Sequence, residues 1–302
     1  KFTKTLGPDF KSYIPMDAIE FLGNLVGTVE NAVKGTRFKP IADLFTAKMC
    51  DEMIPRGCPH VRENVSESTT IQVDVKGKRS LEESLADWVR GELREGDNKC
   101  TCEACGGEKR DTLKRPCFLE TPPMLIFHLR RFEFSYETFT NFKVNDEFHF
   151  PFTLSLHPYT KKGLHEKDNK SGDVEMHKEG EKEEEKDETI TATKKTESVE
   201  EGENKGKEEA DNNNNNDDDD VYELVGVVAH RGTTDSGHYY SFIKERTKEG
   251  KWFEFNDSLV EPFSTDRIPD QCFGGMETRF RKGMGGVMPK TNNAYILFYK
   301  KR

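Results

Sequence analysis

An α+β fold dominated by strands is the class this sequence predicts, and three observations predict it. Two stretches near the start carry apolar residues at helical spacing, Met16–Val33 and Leu81–Leu93. Most later apolar residues alternate with polar ones, as in half-buried strands. Near its end the chain carries an almost continuous apolar and aromatic run, Ala294–Tyr299, with the composition of a buried central strand.

In the first helix Phe21, Leu22, Leu25, Val26, Val29 and Val33 recur on one side, and Asp17 stands at the start. In the second, Ser80 and Glu83 have capping-box spacing, and Leu81, Leu85, Trp88, Val89 and Leu93 line one face. Strand alternation appears at Ile71, Val73 and Val75, at Leu125, Phe127 and Leu129, and at Phe253 and Phe255. Residues 161–220 break the pattern with Lys/Glu runs, Asn212–Asn216 and Asp217–Asp220. So little apolar surface cannot offset the entropy of ordering, so this segment is expected to be a disordered insertion in a loop, with strand sequence resuming at Val221.

The net charge of -10 is local. Residues Lys161 to Asp220 hold 22 acidic and 11 basic side chains, leaving 34 acidic and 35 basic elsewhere. The near-neutral remainder offers no basic patch, so nucleic acid is not an expected partner. Residues 1–30 lack the basic start and apolar run of a signal peptide, and nothing approaches the roughly 20 apolar residues of a membrane span. No membrane partner is expected, and the cytoplasm, the nucleus or both are the expected locations. Seven cysteines, at 50, 58, 100, 102, 105, 117 and 272, are odd in number, and three of them crowd together. That suits a metal site in a reducing compartment better than a disulfide framework.

The chemistry concentrates between Tyr222 and Asp257. A strand through Leu224, Val225, Val227 and Val228 enters a loop, Arg231–Gly237, and His238 opens the next strand. Gly237 permits close approach at the mouth of this hairpin. Asn256 and Asp257 close a further strand with Trp252, Phe253 and Phe255. An imidazole can take a proton from a thiol, and a carboxamide or carboxylate nearby can hold its tautomer. A histidine serving only as a satisfied polar residue of the sheet is the competing reading.

Gly237-His238-Tyr239-Tyr240 after Val225–Gly232, followed by Trp252–Asp257, resembles the histidine box of ubiquitin-specific proteases. Asp17–Leu22 is similar to that family's Gln-Asp-Ala-x-Glu-Phe helix, with Met16 where glutamine is usual. Pro123–Phe132, Lys143–Asp146 and Phe150-Pro151 are similar to successive family segments, and Gln271–Gly275 and Asn293–Tyr299 resemble the fat-facets-type members. The resemblance implies a papain-like cysteine protease of fingers, palm and thumb, with most of the thumb missing. It implies a thumb remnant at 1–45, fingers at 46–120, and palm at 121–160 and 221–302. It implies His238 as general base, Asn256 as its orienter and Asp257 as an accessory residue. The loops Arg231–Gly237 and Phe134–Asn141 would flank the ubiquitin tail, while Tyr222, Tyr240 and His230 read as sheet packing. Ubiquitin and ubiquitinated proteins are the implied partners.

Cys102 and Cys105 have the spacing of two ligands of a tetrahedral zinc. The family supplies a second pair upstream, where this chain reads Pro55-Arg56-Gly57-Cys58-Pro59-His60, with Pro55 at the first cysteine's place. Cys58, Cys102 and Cys105 are thus candidate zinc ligands, with Cys100, Cys50 or His60 as candidate fourths. A knuckle folded through β-pairing alone is the alternative. The family's nucleophilic cysteine opens a helix in an Asn/Gly-rich box, and no such box occurs here. The nucleophile is therefore expected upstream of Lys1. The competing expectation is an inactive, ubiquitin-binding relative.

Overall fold

The computed structural model describes residues 16–37, 40–171, 220–281 and 284–302. In chain order the first part runs α1 (Ala18–Val33), β1 (Ala47–Pro55), β2 (Arg62–Ser68), β3 (Ile71–Asp74), α2 (Leu81–Arg90), β4 (Glu92–Arg94), β5 (Cys100–Cys102), β6 (Glu108–Arg110), β7 (Thr112–Glu120), β8 (Met124–Arg130), β9 (Phe132–Ser135), β10 (Thr140–Lys143), β11 (Thr153–Ser155) and α3 (Lys161–Ser171). The second part runs β12 (Val221–Gly232), β13 (Gly237–Lys244), β14 (Trp252–Asn256), β15 (Leu259–Phe263), α4 (Ile268–Cys272), β16 (Met276–Arg281), β17 (Met284–Pro289) and β18 (Asn292–Lys301).

The main sheet has the order β15-β14-β13-β12-β18-β8-β3, with β11 also paired to β12. Its pairings are antiparallel except β3 with β8. A second sheet has the order β2-β1-β7-β4, and β5–β6 forms a separate short hairpin. The interval 46–120 therefore divides, because Ile71–Asp74 joins the main sheet and α2 packs on β3 as well as on β7. Among the described residues no helix is long and apolar enough to cross a membrane.

Both predicted helices form, each fixed by its cap. Asp17 Oδ1 accepts from Ile19 N at 2.8 Å, and Ser80 Oγ accepts from Glu83 N at 3.2 Å. The second helix ends at Arg90 instead of continuing to Leu93. Gly91 takes φ 72°, and a Cβ there would overlap Lys114 O, so the chain turns and Leu93 pairs with Leu113 in β4. Phe134–Asn141 is the tip of a hairpin, β9 with β10, rather than an open loop.

Lys161–Ser171 corrects the expectation that disorder begins at Lys161, because it is helix α3. The remainder of that segment, 172–219, lies outside the described residues. Composition misleads at α3 because ion pairs dock it. Glu52, wholly buried in β1, accepts from Arg115 Nη2 at 3.1 Å and pairs with His165 Nε2 at 2.8 Å, while Arg115 Nη1 reaches Asp168 at 2.6 Å. Leu164 adds a buried apolar contact. Arg115→Met strands Glu52 in the interior, so destabilisation by about 3–5 kcal/mol is expected in chemical denaturation. The double change Arg115→Met with Glu52→Leu should cost clearly less; an equal or greater loss would remove the buried pair as the cause.

Arg131 is fully buried and binds four carbonyls: Ala294 O (2.8 Å), Val144 O (3.0 Å), Asp146 O (3.1 Å) and Phe273 O (3.4 Å). Burial lowers its pKa to about 10, which leaves it charged at neutral pH. It thereby ties the end of β8 to β18 and to the residue that follows α4.

Candidate active site

β12 and β13 form the hairpin expected around His238. Arg231 faces His238 and Gly232 faces Gly237, and Thr233 N donates to Ser236 O at 2.8 Å to close the turn. Gly232 has φ 127°, a conformation that side chains resist. On the next strand Ser241 pairs with Phe255. One step on, Asn256 falls opposite Tyr240 and shares a sheet face with His238.

The result is a hydrogen bond of 2.7 Å between His238 Nε2 and Asn256 Oδ1. An amide oxygen can only accept, so Nε2 is the donor, and in the neutral ring the lone pair falls on Nδ1. Asp257, at φ 54° in the turn after β14, places Oδ2 3.8 Å from the same Nε2. The imidazole is 44% exposed and Asp257 81%, so both lie open to solvent. His238 and Asn256 also line a cavity of about 290 Å³ with Arg231, Glu254, Asp270 and Lys290.

Tyr239 points to the opposite face, where its hydroxyl donates to Asp17 Oδ2 at 2.9 Å. Tyr295 donates to the same oxygen at 2.9 Å. Burial and the Asp17 charge raise both phenols well above their ordinary range, so they remain donors. One carboxylate thus caps α1 and ties it to β13 and β18. An apolar groove of about 340 Å³ between α1 and the sheet is lined by Phe21, Leu22, Val228, Phe255, Ile296 and Phe298.

Among the described residues no thiol is a hydrogen-bonding partner of His238. Cys272 is fully buried, and burial pushes its thiol strongly up. Cys50 and Cys117 face each other across β1 and β7, likewise buried. Burial raises Cys117 to about 12. These are inert core positions rather than nucleophiles.

The metal candidates do converge. Cys58 Sγ lies 3.4 Å from Cys102 Sγ and 3.1 Å from Cys105 Sγ. His60 Nδ1 completes the group, at 3.3 Å from Cys58, 3.3 Å from Cys105 and 3.9 Å from Cys102. All four ligand atoms lie within 4.8 Å of one another. Of the candidate fourths, His60 is the one brought in, while Cys50 lies by Glu63 and Cys100 faces Asn98 O. Donated hydrogen bonds, Cys105 first, lower Cys58 to about 6, and the same crowding raises Cys105 to about 12. Three sulfurs and an imidazole nitrogen at these separations fit one tetrahedral ion. His60 repairs the corner that Pro55 leaves empty, and its signal was its place two residues after Cys58 in a tight turn.

Comparison with known proteins agrees with this architecture. The family model described as ubiquitin carboxyl-terminal hydrolase matches residues 1–299. Human ubiquitin carboxyl-terminal hydrolase 24 is 34% identical over 297 residues, covering 94% of this chain and 10% of its own length. Mouse ubiquitin carboxyl-terminal hydrolase 9X is 32% identical over 299 residues, covering 94% and 11%. The Drosophila melanogaster hydrolase puf is 34% identical over 297 residues, covering 95% and 7%. The chain thus spans about a tenth or less of these relatives. A solved structure, the SAGA Ubp8/Sgf11/Sus1/Sgf73 DUB module bound to ubiquitin aldehyde, superposes with a TM-score of 0.62 at 22% identity, covering 96% of this chain and 50% of that one. That likeness concerns the fold, which is consistent with the papain-like protease architecture. With the family model matching nearly its whole length, this chain belongs to the ubiquitin carboxyl-terminal hydrolase family.

Proposed function

We propose that this chain is the histidine-bearing part of a deubiquitinating cysteine protease, which cleaves the bond after the C-terminal glycine of ubiquitin. The observation that carries the reading is the 2.7 Å pairing of His238 Nε2 with Asn256 Oδ1, in a chain of this family. That pairing leaves Nδ1 as the basic nitrogen. A cysteine nucleophile gives its thiol proton to Nδ1. The thiolate then attacks the glycine carbonyl carbon. The tetrahedral intermediate collapses as the amine leaves with the proton from Nδ1. Water, deprotonated by His238, hydrolyses the thioester and regenerates the thiol. Asn256 holds the ring, and Asp257 supports it from 3.8 Å.

Zinc is the metal that the cluster of Cys58, His60, Cys102 and Cys105 suits, because soft thiolates with one imidazole favour it. When bound it would supply structure, fastening the β5–β6 hairpin to the turn after β1. Ubiquitin and ubiquitinated proteins are the proposed partners. Seven unpaired cysteines suit the cytoplasm or nucleus.

A second reading is a ubiquitin-binding module without catalysis, since among the described residues the hydrogen-bond partner of His238 is Asn256 and not a cysteine. The full-length protein decides between them with ubiquitin carrying a C-terminal fluorogenic amide. Hydrolysis blocked by ubiquitin aldehyde supports the protease. Saturable ubiquitin binding without hydrolysis would establish the module instead, and neither binding nor hydrolysis would defeat both readings.

A further inference from the structure

A buried polar strut lies behind His238, and the proton transfers above do not use it. Lys143, the last residue of β10, donates from Nζ to three acceptors: His230 Nδ1 at 2.8 Å, His230 O at 3.0 Å and Thr291 O at 2.6 Å. No carboxylate pairs with it among these contacts. One amine therefore joins the β9–β10 hairpin, the end of β12 and the approach to β18. Its partner His230 is buried, with 5% exposure.

The His230 ring is held on every side. It stands edge-on to Phe132 with centroids 5.1 Å apart, and against Tyr239 at 4.8 Å. Its Nε2 presses on Gly237 so closely that a Cβ at that position would overlap it. Gly237 and Tyr239 are the two chain neighbours of His238. A single ring thus abuts the backbone before the proposed base and the side chain after it. Close approach at Gly237 was legible in the sequence, but the group that approaches is a side chain.

Burial, with the Arg131 charge adding to it, lowers Lys143 to about 7, so the amine titrates close to neutral pH and can donate in either state. Burial first, then the Lys143 charge, lowers His230 to about 4, so its imidazole is neutral at physiological pH. Its Nδ1 lone pair then accepts from Lys143, and the ring proton sits on Nε2. Replacing either partner leaves buried polar atoms without their bonds, and the ring free to shift.

We propose that Lys143 and His230 are positioning residues: the amine fixes the His230 ring, and the ring, seated against Gly237 and Tyr239, aims His238 at Asn256. The proposal rests on reading His238 as the general base. Sheet packing alone would lower stability while leaving the folded fraction fully active, which makes the two roles separable.

The test uses the full-length protein with fluorogenic ubiquitin, below the unfolding transition of each variant. Lys143→Met and His230→Ala should each lower kcat at least fivefold, with a smaller change in KM and in ubiquitin Kd. Lys143→Arg, which keeps the donors, should recover part of the loss. A change in kcat below fivefold, or a loss confined to KM, overturns the proposal. Should Lys143→Met or His230→Ala fail to fold, Gly237→Ala probes the same contact, and an unchanged kcat there overturns it equally. With folded variants the cycle is closed by the pair Gly237→Ala and His230→Ala. The Gly237→Ala penalty should shrink once the ring is gone, and an undiminished penalty rules out the ring contact. His238→Ala serves as the control. If it retains activity, the catalytic reading has failed, whereas loss there with intact Lys143 and His230 variants defeats only the positioning role.

Discussion

Replacing His238 by alanine in the full-length protein should lower kcat/KM for fluorogenic ubiquitin by roughly 10²- to 10⁴-fold, while ubiquitin binding stays within a few-fold. The ring lies at the open mouth of a hairpin and makes one short hydrogen bond, to Asn256, so its removal disturbs little packing. The loss should therefore appear in kcat, as for a group that acts on the reacting atoms. Asn256→Ala should be milder, because Asp257 Oδ2 already stands 3.8 Å from Nε2 and can accept its proton in part. Removing Asn256 and Asp257 together should approach the His238→Ala level. Steady-state kinetics on the three variants checks the ordering, and wild-type turnover after His238→Ala would remove the histidine from the mechanism.

Loss of the metal ligands should have the second large effect. The β5–β6 hairpin pairs only Cys100–Cys102 with Glu108–Arg110, and its one buried side chain is Cys102. So small a unit cannot be held by apolar burial, and a structural zinc contributes on the order of 10 kcal/mol to small domains of this kind. Elemental analysis should find one zinc per chain, reduced by His60→Ala and abolished by Cys58→Ser. Chelation should sharply raise proteolytic cleavage within residues 56–60 and 96–110. The main unfolding transition should move little, because the large core around Leu125, Phe127 and Leu297 does not touch the cluster. A chain that is zinc-free and equally protected would return the knuckle to β-pairing alone.

The sequence made the strand–loop–strand unit around His238 readable, because a glycine-rich turn between two β-branched or aromatic strands leaves few alternatives. The caps and faces of α1 and α2 were equally plain. What escaped reading depended on partners remote in the chain. Glu52 interrupts the apolar pattern of β1, yet it is wholly buried, because Arg115 and His165 satisfy its carboxylate. Helix α3 hid in a lysine- and glutamate-rich stretch for the same reason. His60 was one of three equal choices until folding brought the β5–β6 hairpin against the turn after Cys58. Nothing local in Lys143–Asp146 shows that three acceptors converge on the Lys143 amine.

The weave of the main sheet has a practical consequence. β18, from the later half of the chain, lies between β12 of the same half and β8 of the earlier half, while β11 of the earlier half closes on β12. Arg131 adds bonds from the earlier half to Ala294 and Phe273 of the later. The two pieces flanking 172–219 are thus interlocked like clasped fingers. Severing the backbone between them would leave a noncovalent complex that still holds His238 in register. The same seam offers a place to divide the protein into complementing fragments whose reunion restores the site.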